Sequence, residues 1–144
     1  MDLTELKRIY ENYVQKAKQV ERKAGPLDGF LGLGNDPRNH PCHMDFYEAA
    51  GQWVSAFASR KPDQEQVYQV ALWILEEAAR YAGTIVYGFL FAAHGFCREL
   101  IPMLSGQQCA QLRDLYDEKY PPRDRMPVQK EVYKLLKKGA AKGK

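Results

Sequence analysis

Apolar and small side chains recur every three or four positions near the start of the chain. This spacing is maintained from Leu3 to Ala24, and it is the period of an amphipathic α-helix. Asp2 can accept hydrogen bonds from backbone amides at the beginning of the segment while Glu5 reaches back, and Gly25-Pro26 ends it. The pattern therefore predicts a first helix over residues 3–24.

The same period predicts four more helices. They cover residues 41–59, 62–81, 105–119 and 128–138. Asn39 or His40 is expected to cap the second of these five helices. Ser105 and Gln108 form a capping-box pattern at the start of a later one.

A run from Tyr81 to Cys97 carries no formal charge over seventeen residues. A bilayer requires about 20 apolar residues, and this run is shorter and contains three glycines, a threonine and a histidine. We therefore interpret it as part of a buried helix, roughly Thr84 to Leu104, and not as a membrane span. Because its first turns are apolar nearly all round, this helix is expected to be the central one of the fold.

Residues 25–39 show no hydrophobic period and contain four glycines and two prolines. They predict a long loop after the first helix, and long ordered loops are disproportionately functional. A phosphate-binding loop is not favoured, because the glycines follow a helix and lack the G-K-[ST] ending.

We identify no alternating strand pattern and no internal repeat. At 144 residues the chain has the size of one domain with one core. The predicted fold is all-α: a single-domain bundle of five or six helices over residues 1–138, followed by a flexible basic tail over residues 139–144.

Composition agrees with a globular protein, with 45% hydrophobic and 27% charged residues. The net charge of +3 is unevenly distributed: residues 1–118 hold twelve basic and sixteen acidic side chains, whereas residues 119–144 hold nine and two. Such a basic end can bind nucleic acid or an acidic partner, or simply form a solvated helix face. No helix-turn-helix signature supports nucleic acid.

The amino-terminal stretch is acidic and lacks an apolar signal region, and the number of cysteines, three, is odd. Both features predict a cytoplasmic protein with reduced thiols.

All three histidines and two of the cysteines fall into two groups: His40, Cys42 and His43, and then His94 and Cys97. If the second and fourth helices pack together, His43 and His94 can both face the interior. Imidazole and thiolate are ligands that zinc prefers, so these five residues form a candidate metal site with zinc as the candidate cofactor. In the alternative interpretation, His40 caps a helix and the others pack in the core.

A small-molecule pocket between helices is a third interpretation. Its lining would be His43, Tyr47, Tyr87, His94 and Arg98, which together give a polar end to an apolar cavity. A buried arginine needs a partner, so Arg98 is expected to reach solvent, pair with Glu76 or Glu77, or meet an anionic ligand. The two carboxylates themselves are expected on an exposed helix face.

No catalytic residues emerge from these patterns. We therefore predict a non-enzymatic cytosolic helical module that acts by binding, with a metal-binding protein or metallohydrolase as the alternative. A protein partner or a second copy of the chain is expected, since the last helix has apolar residues to bury. These are Val128, Val132, Leu135 and Leu136.

Overall fold

Helices make up all the regular structure of residues 2–24 and 36–142, which are the residues that the computed structural model describes. The α-helices are α1 (Leu3–Lys23), α2 (Cys42–Ser59), α3 (Gln64–Glu77), α4 (Tyr87–Ala92), α5 (Cys97–Leu100), α6 (Gly106–Lys119) and α7 (Pro127–Lys142). Short 3₁₀-helices cover Pro37–Asn39, Ala78–Tyr81, Ala93–Phe96, Ile101–Met103 and Pro122–Asp124. The all-α prediction is confirmed for this part of the chain.

The ends of the long helices follow local capping chemistry. The Asp2 carboxylate accepts a hydrogen bond from the backbone N–H of Thr4 at 3.1 Å. At the start of α6 the Ser105 hydroxyl accepts from the Gln108 N–H, and the Gln108 side chain accepts from the Ser105 N–H. This reciprocal pair satisfies two amides that the helix itself leaves unpaired, and it confirms the predicted capping box.

The predicted helix over roughly Thr84 to Leu104 differs most from the structure. That stretch consists of α4, a 3₁₀-helix, α5 and a second 3₁₀-helix, and it contacts α2, α3 and α7. Gly83 has a φ of +85°, which ends the preceding helix, and Pro102 lacks the N–H that an α-helix needs. At Gly95 an added Cβ would lie 3.3 Å from Val128 of α7, so glycine lets α7 approach this irregular segment.

The predicted loop over residues 25–39 falls largely outside the described residues. Its last part is a 3₁₀-helix, Pro37–Asn39, capped by the Asp36 carboxylate, which accepts from the Arg38 N–H at 3.0 Å. The rest of that loop prediction stays a prediction.

The last helix continues beyond the predicted end at residue 138, because α7 runs to Lys142 and Ala140 is buried. Val132 and Leu136 are also buried, and α7 packs against α6. The chain itself thus buries Val132 and Leu136 fully and Val128 and Leu135 in part. The expected protein partner or second copy of the chain stays a prediction.

Among the glycines that the structure describes, Gly139 has the least room for a Cβ, because α6 and α7 pack closely there. A Cβ there would lie 2.5 Å from Sγ and 3.2 Å from Cβ of Cys109. We expect Gly139→Ala to lower the free energy of unfolding by about 1–2 kcal/mol, since overpacking outweighs the gain of about 1 kcal/mol in helix propensity. Urea denaturation measures the change.

Gly88→Ala is the matched control, because no atom lies within 4 Å of its added Cβ. That variant should be neutral or stabilising, and Cys109→Ala should remove the penalty of Gly139→Ala. Equal effects of the two glycine substitutions would contradict the close approach.

A search of the described helices for one long and apolar enough to cross a bilayer finds none.

Candidate functional site

His43, on the first turn of α2, uses both ring nitrogens within the protein. Its Nε2 lies 2.8 Å from the carbonyl oxygen of Pro37, and its Nδ1 lies 2.7 Å from the hydroxyl of Tyr13 on α1. Because a carbonyl can only accept, Nε2 donates, and in the neutral ring Nδ1 accepts from Tyr13. The imidazole also stacks on Phe89 with ring centroids 4.1 Å apart. His43 thus joins α1, α2, α4 and the segment before α2.

The N-cap residue of α2 is Pro41, which makes no side-chain cap hydrogen bond, and this corrects the prediction that Asn39 or His40 is the cap. His40 lies one position earlier and contacts the first turn of the helix. Its Nδ1 accepts a hydrogen bond from the backbone N–H of Cys42 at 3.0 Å. Cys42 is buried, and desolvation raises the pKa of its thiol. These contacts give the local "NHPCH" sequence a structural role at the beginning of a helix.

His94, in the 3₁₀-helix Ala93–Phe96, is fully buried among aromatic rings. Its Nδ1 and the Tyr116 hydroxyl form a hydrogen bond of 2.6 Å, whereas its Nε2 has no partner. The rings of Phe91 and Tyr120 pack edge-on against it at 5.4 and 5.5 Å. Burial lowers the pKa of His94 to about 3, so the ring is neutral at physiological pH.

The two histidine–cysteine groups do not form a metal site among residues 2–24 and 36–142, where no three histidine, cysteine or acidic side chains gather suitably. Both ring nitrogens of His43 form hydrogen bonds, with Tyr13 and Pro37. Nδ1 of His94 forms one with Tyr116. Burial also raises the pKa of Cys97 to about 12, which disfavours the thiolate that zinc binds. Within the described residues the two imidazoles have different partners: His43 contacts Tyr13 and Phe89, and His94 contacts Phe91 and Tyr116.

The five residues of the predicted pocket are brought together only in part, since Tyr87 and His94 both contact Phe91. Tyr47 contacts Phe96, and Tyr87 contacts Phe91, with ring centroids 4.9 and 4.1 Å apart. Arg98 is half exposed and forms a two-point ion pair with Glu131 of α7, with N–O distances of 2.8 and 2.9 Å. Its partner is therefore Glu131, and neither Glu76 nor Glu77.

A different pocket lies between α1 and the end of α3. It has a volume of about 210 Å³. Its lining consists of Lys7, Tyr10, Glu11, Trp73, Glu77, Arg80 and Tyr81, which we call the α1–α3 pocket. On α1, residues three and four positions apart share a face, and the same spacing brings the α3 residues together.

Tyr10 distinguishes this pocket. The residue is 2% exposed, and its hydroxyl has no hydrogen-bond partner. Its ring packs edge-on against Trp73 at 4.5 Å and against Phe46 at 4.9 Å. Desolvation, followed by the nearby Cys97 and Glu77, raises the pKa of Tyr10 well above its ordinary value. Tyr10 thus contributes to the lining of the pocket, while its hydroxyl, which has no partner among the described residues, lies out of reach of solvent.

Glu77 supplies a buried carboxylate on the other side of the pocket. It is 7% exposed and accepts a hydrogen bond from Arg80 Nη1 at 2.8 Å. Arg80 in turn lies over the ring of Tyr81 at 5.6 Å. Burial and the neighbouring Glu77 raise the pKa of the Tyr81 hydroxyl. The expectation that Glu77 belongs to an exposed helix face was therefore wrong.

Sequence reasoning missed this pocket because each of its residues resembles ordinary helix surface or core. Tyr10 falls in the apolar stripe of the first helix, and tyrosine there predicts core packing. The signal that could have revealed part of it is the spacing of Glu77, Arg80 and Tyr81, which places a cation and an aromatic ring one turn from an acid.

Comparison with family models, curated proteins and solved structures finds no match for this chain.

Proposed function

We propose that this protein is a non-enzymatic binding module whose ligand occupies the α1–α3 pocket. The observation that carries the proposal is the pocket itself, in which two cations and two carboxylates gather beside aromatic rings. Such charged groups can orient a polar ligand while the rings pack against it. The Tyr10 hydroxyl has no partner among the described residues of the free protein, and a buried hydroxyl without a hydrogen bond destabilises a fold by about 1–3 kcal/mol.

The lining of the pocket also supports binding over covalent chemistry. It combines aromatic surfaces, from Trp73 and Tyr81, with charged groups that fix orientation. It contains no serine, cysteine or histidine, and these are the usual members of nucleophile–base pairs. The side chains therefore favour recognition of a small polar molecule.

Two tyrosines of α1 give a matched test of the role of the hydroxyl in the free protein. Tyr10→Phe should raise the free energy of unfolding by about 1 kcal/mol, because it removes an unpaired buried group. Tyr13→Phe should lower it by about 1–2 kcal/mol, because the Nδ1 of His43 loses its partner. Chemical denaturation measures both, and a loss of stability in Tyr10→Phe similar to that in Tyr13→Phe would contradict the assignment.

Ligand binding is tested by measuring the melting temperature in the presence of a panel of free amino acids, amines, organic acids and nucleosides. At least one compound should raise the melting temperature of the wild type. The shift should be smaller in Trp73→Leu, and unchanged in Tyr68→Phe, which alters a tyrosine of α3 outside the pocket lining. No shift across the panel, or an equal shift in Trp73→Leu, would overturn the proposed function.

A further inference from the structure

We infer that the ligand of the α1–α3 pocket is a small zwitterion of amino-acid type, an inference that rests on the proposed function. The pocket lining carries two cations and two carboxylates. Arg80 and Glu77 neutralise each other across 2.8 Å. The charges that a ligand meets are therefore those of the remaining pair, Lys7 and Glu11.

Lys7 and Glu11 lie four residues apart on α1, one turn along the same face, with Tyr10 between them. Both are exposed, and within the described ranges neither forms an ion pair shorter than 4.0 Å. Each is thus able to interact with a ligand. The pocket therefore has one positive and one negative group at its mouth, and the positive group, Lys7, lies nearer the start of α1.

A zwitterion matches this arrangement better than an ion of one sign. Its carboxylate can pair with Lys7 while its ammonium pairs with Glu11, so that both charges of the pocket are matched. A cation would leave Lys7 unmatched, and an anion would leave Glu11 unmatched.

The walls and the volume limit the rest of the molecule. Trp73 and Tyr81 are partly exposed and present aromatic surface to the pocket, which favours an apolar group on the ligand. A volume of about 210 Å³ accommodates one free amino acid. The geometry therefore points to a single free amino acid as the ligand class.

Titration calorimetry with three matched probes tests the charge requirement. L-Leucine carries both charges, L-leucinamide carries only the ammonium, and N-acetyl-L-leucine carries only the carboxylate. L-Phenylalanine with the same two derivatives tests a larger side chain. Wild-type protein should bind the free amino acid at least about tenfold more tightly than either derivative, because each derivative lacks one charge-assisted interaction.

Two charge-removing variants should change the preference in opposite directions. Lys7→Gln should lose affinity for the free amino acid and should bind it and the amide with about equal affinity. Glu11→Gln should bind the free amino acid and the N-acetyl form with about equal affinity. Arg8→Gln is the control, since Arg8 lies on α1 outside the pocket lining, and it should behave as wild type.

The outcomes separate the inference from the proposed function. If a singly charged or neutral compound binds more tightly than both amino acids and loses affinity in Trp73→Leu, the pocket is a binding site and the zwitterion inference is wrong. If no compound of the melting panel or of this series binds, both fail.

Discussion

Lowering the pH from 7 to 4 is expected to destabilise the wild-type protein by about 3 kcal/mol more than the variant His94→Asn. Burial lowers the pKa of His94 to about 3, whereas an unfolded histidine titrates near 6.5. Between these two values the unfolded chain binds one proton more than the folded chain. The free energy of unfolding therefore falls by about 1.4 kcal/mol for each pH unit below 6.5 and stops falling near pH 3.

Urea denaturation at a series of pH values measures this difference. Asparagine can keep the hydrogen bond to Tyr116 and cannot take up the proton. His94→Asn is therefore expected to be less stable than wild type at pH 7, because a cavity remains, and to lose less stability on acidification. Tyr116→Phe serves as the control, since it removes the bond but retains the imidazole and should keep the wild-type pH dependence. Parallel curves for wild type and His94→Asn would contradict the buried neutral state of His94.

Removing the guanidinium of Arg125 is expected to lower the free energy of unfolding by about 3 kcal/mol. The Arg125 side chain is 4% exposed, and it lies in the connection between α6 and α7. Its Nε donates to the carbonyl oxygen of Tyr120 at 2.8 Å, and its Nη2 donates to Asp117 at 3.1 Å. The guanidinium also stacks over the ring of Tyr133, 4.2 Å from the centroid. One side chain thus joins the end of α6 to α7.

Arg125→Met retains most of the side-chain volume, so its loss of stability in urea denaturation reports the hydrogen bonds and the stacking. Arg125→Lys should recover only part of the loss, because an ammonium cannot reproduce the planar fork. Asp117→Asn, which alters a half-exposed carboxylate, should have an effect of less than about 1 kcal/mol. Equal stability of Arg125→Met and Asp117→Asn would show that the buried contacts contribute little.

The sequence predicted the long helices closely because their signals are local. The boundaries of α1, Leu3 and Lys23, differ by at most one residue from the predicted range, since the apolar period and the flanking cap residues act within a few turns. It predicted Asn39 or His40 as the cap of α2, whereas the N-cap residue is Pro41 and His40 accepts from the Cys42 N–H from one position earlier. The break into α4, α5 and 3₁₀-turns was missed. An apolar composition indicates that a segment is buried, but it does not determine whether the segment forms one continuous helix.

The site was predictable only in part. The histidine-rich stretch correctly indicated one buried imidazole, His43, at the start of α2, but its partners are Tyr13 on another helix and Pro37. Tyr116, which bonds to His94, is twenty-two positions away in the chain. A single sequence contains no pattern that pairs such distant residues.

The sequence by itself determined where most helices begin and end and which faces of them are apolar, because hydrogen bonds within a helix and its caps join residues only a few positions apart. The tertiary structure decided which side chains meet: Tyr10 with Trp73, Arg98 with Glu131, and Arg125 with Tyr133. These contacts depend on the angle and register at which helices pack, which follow from the combined shape of many side chains. The pocket between α1 and α3 is a product of that packing.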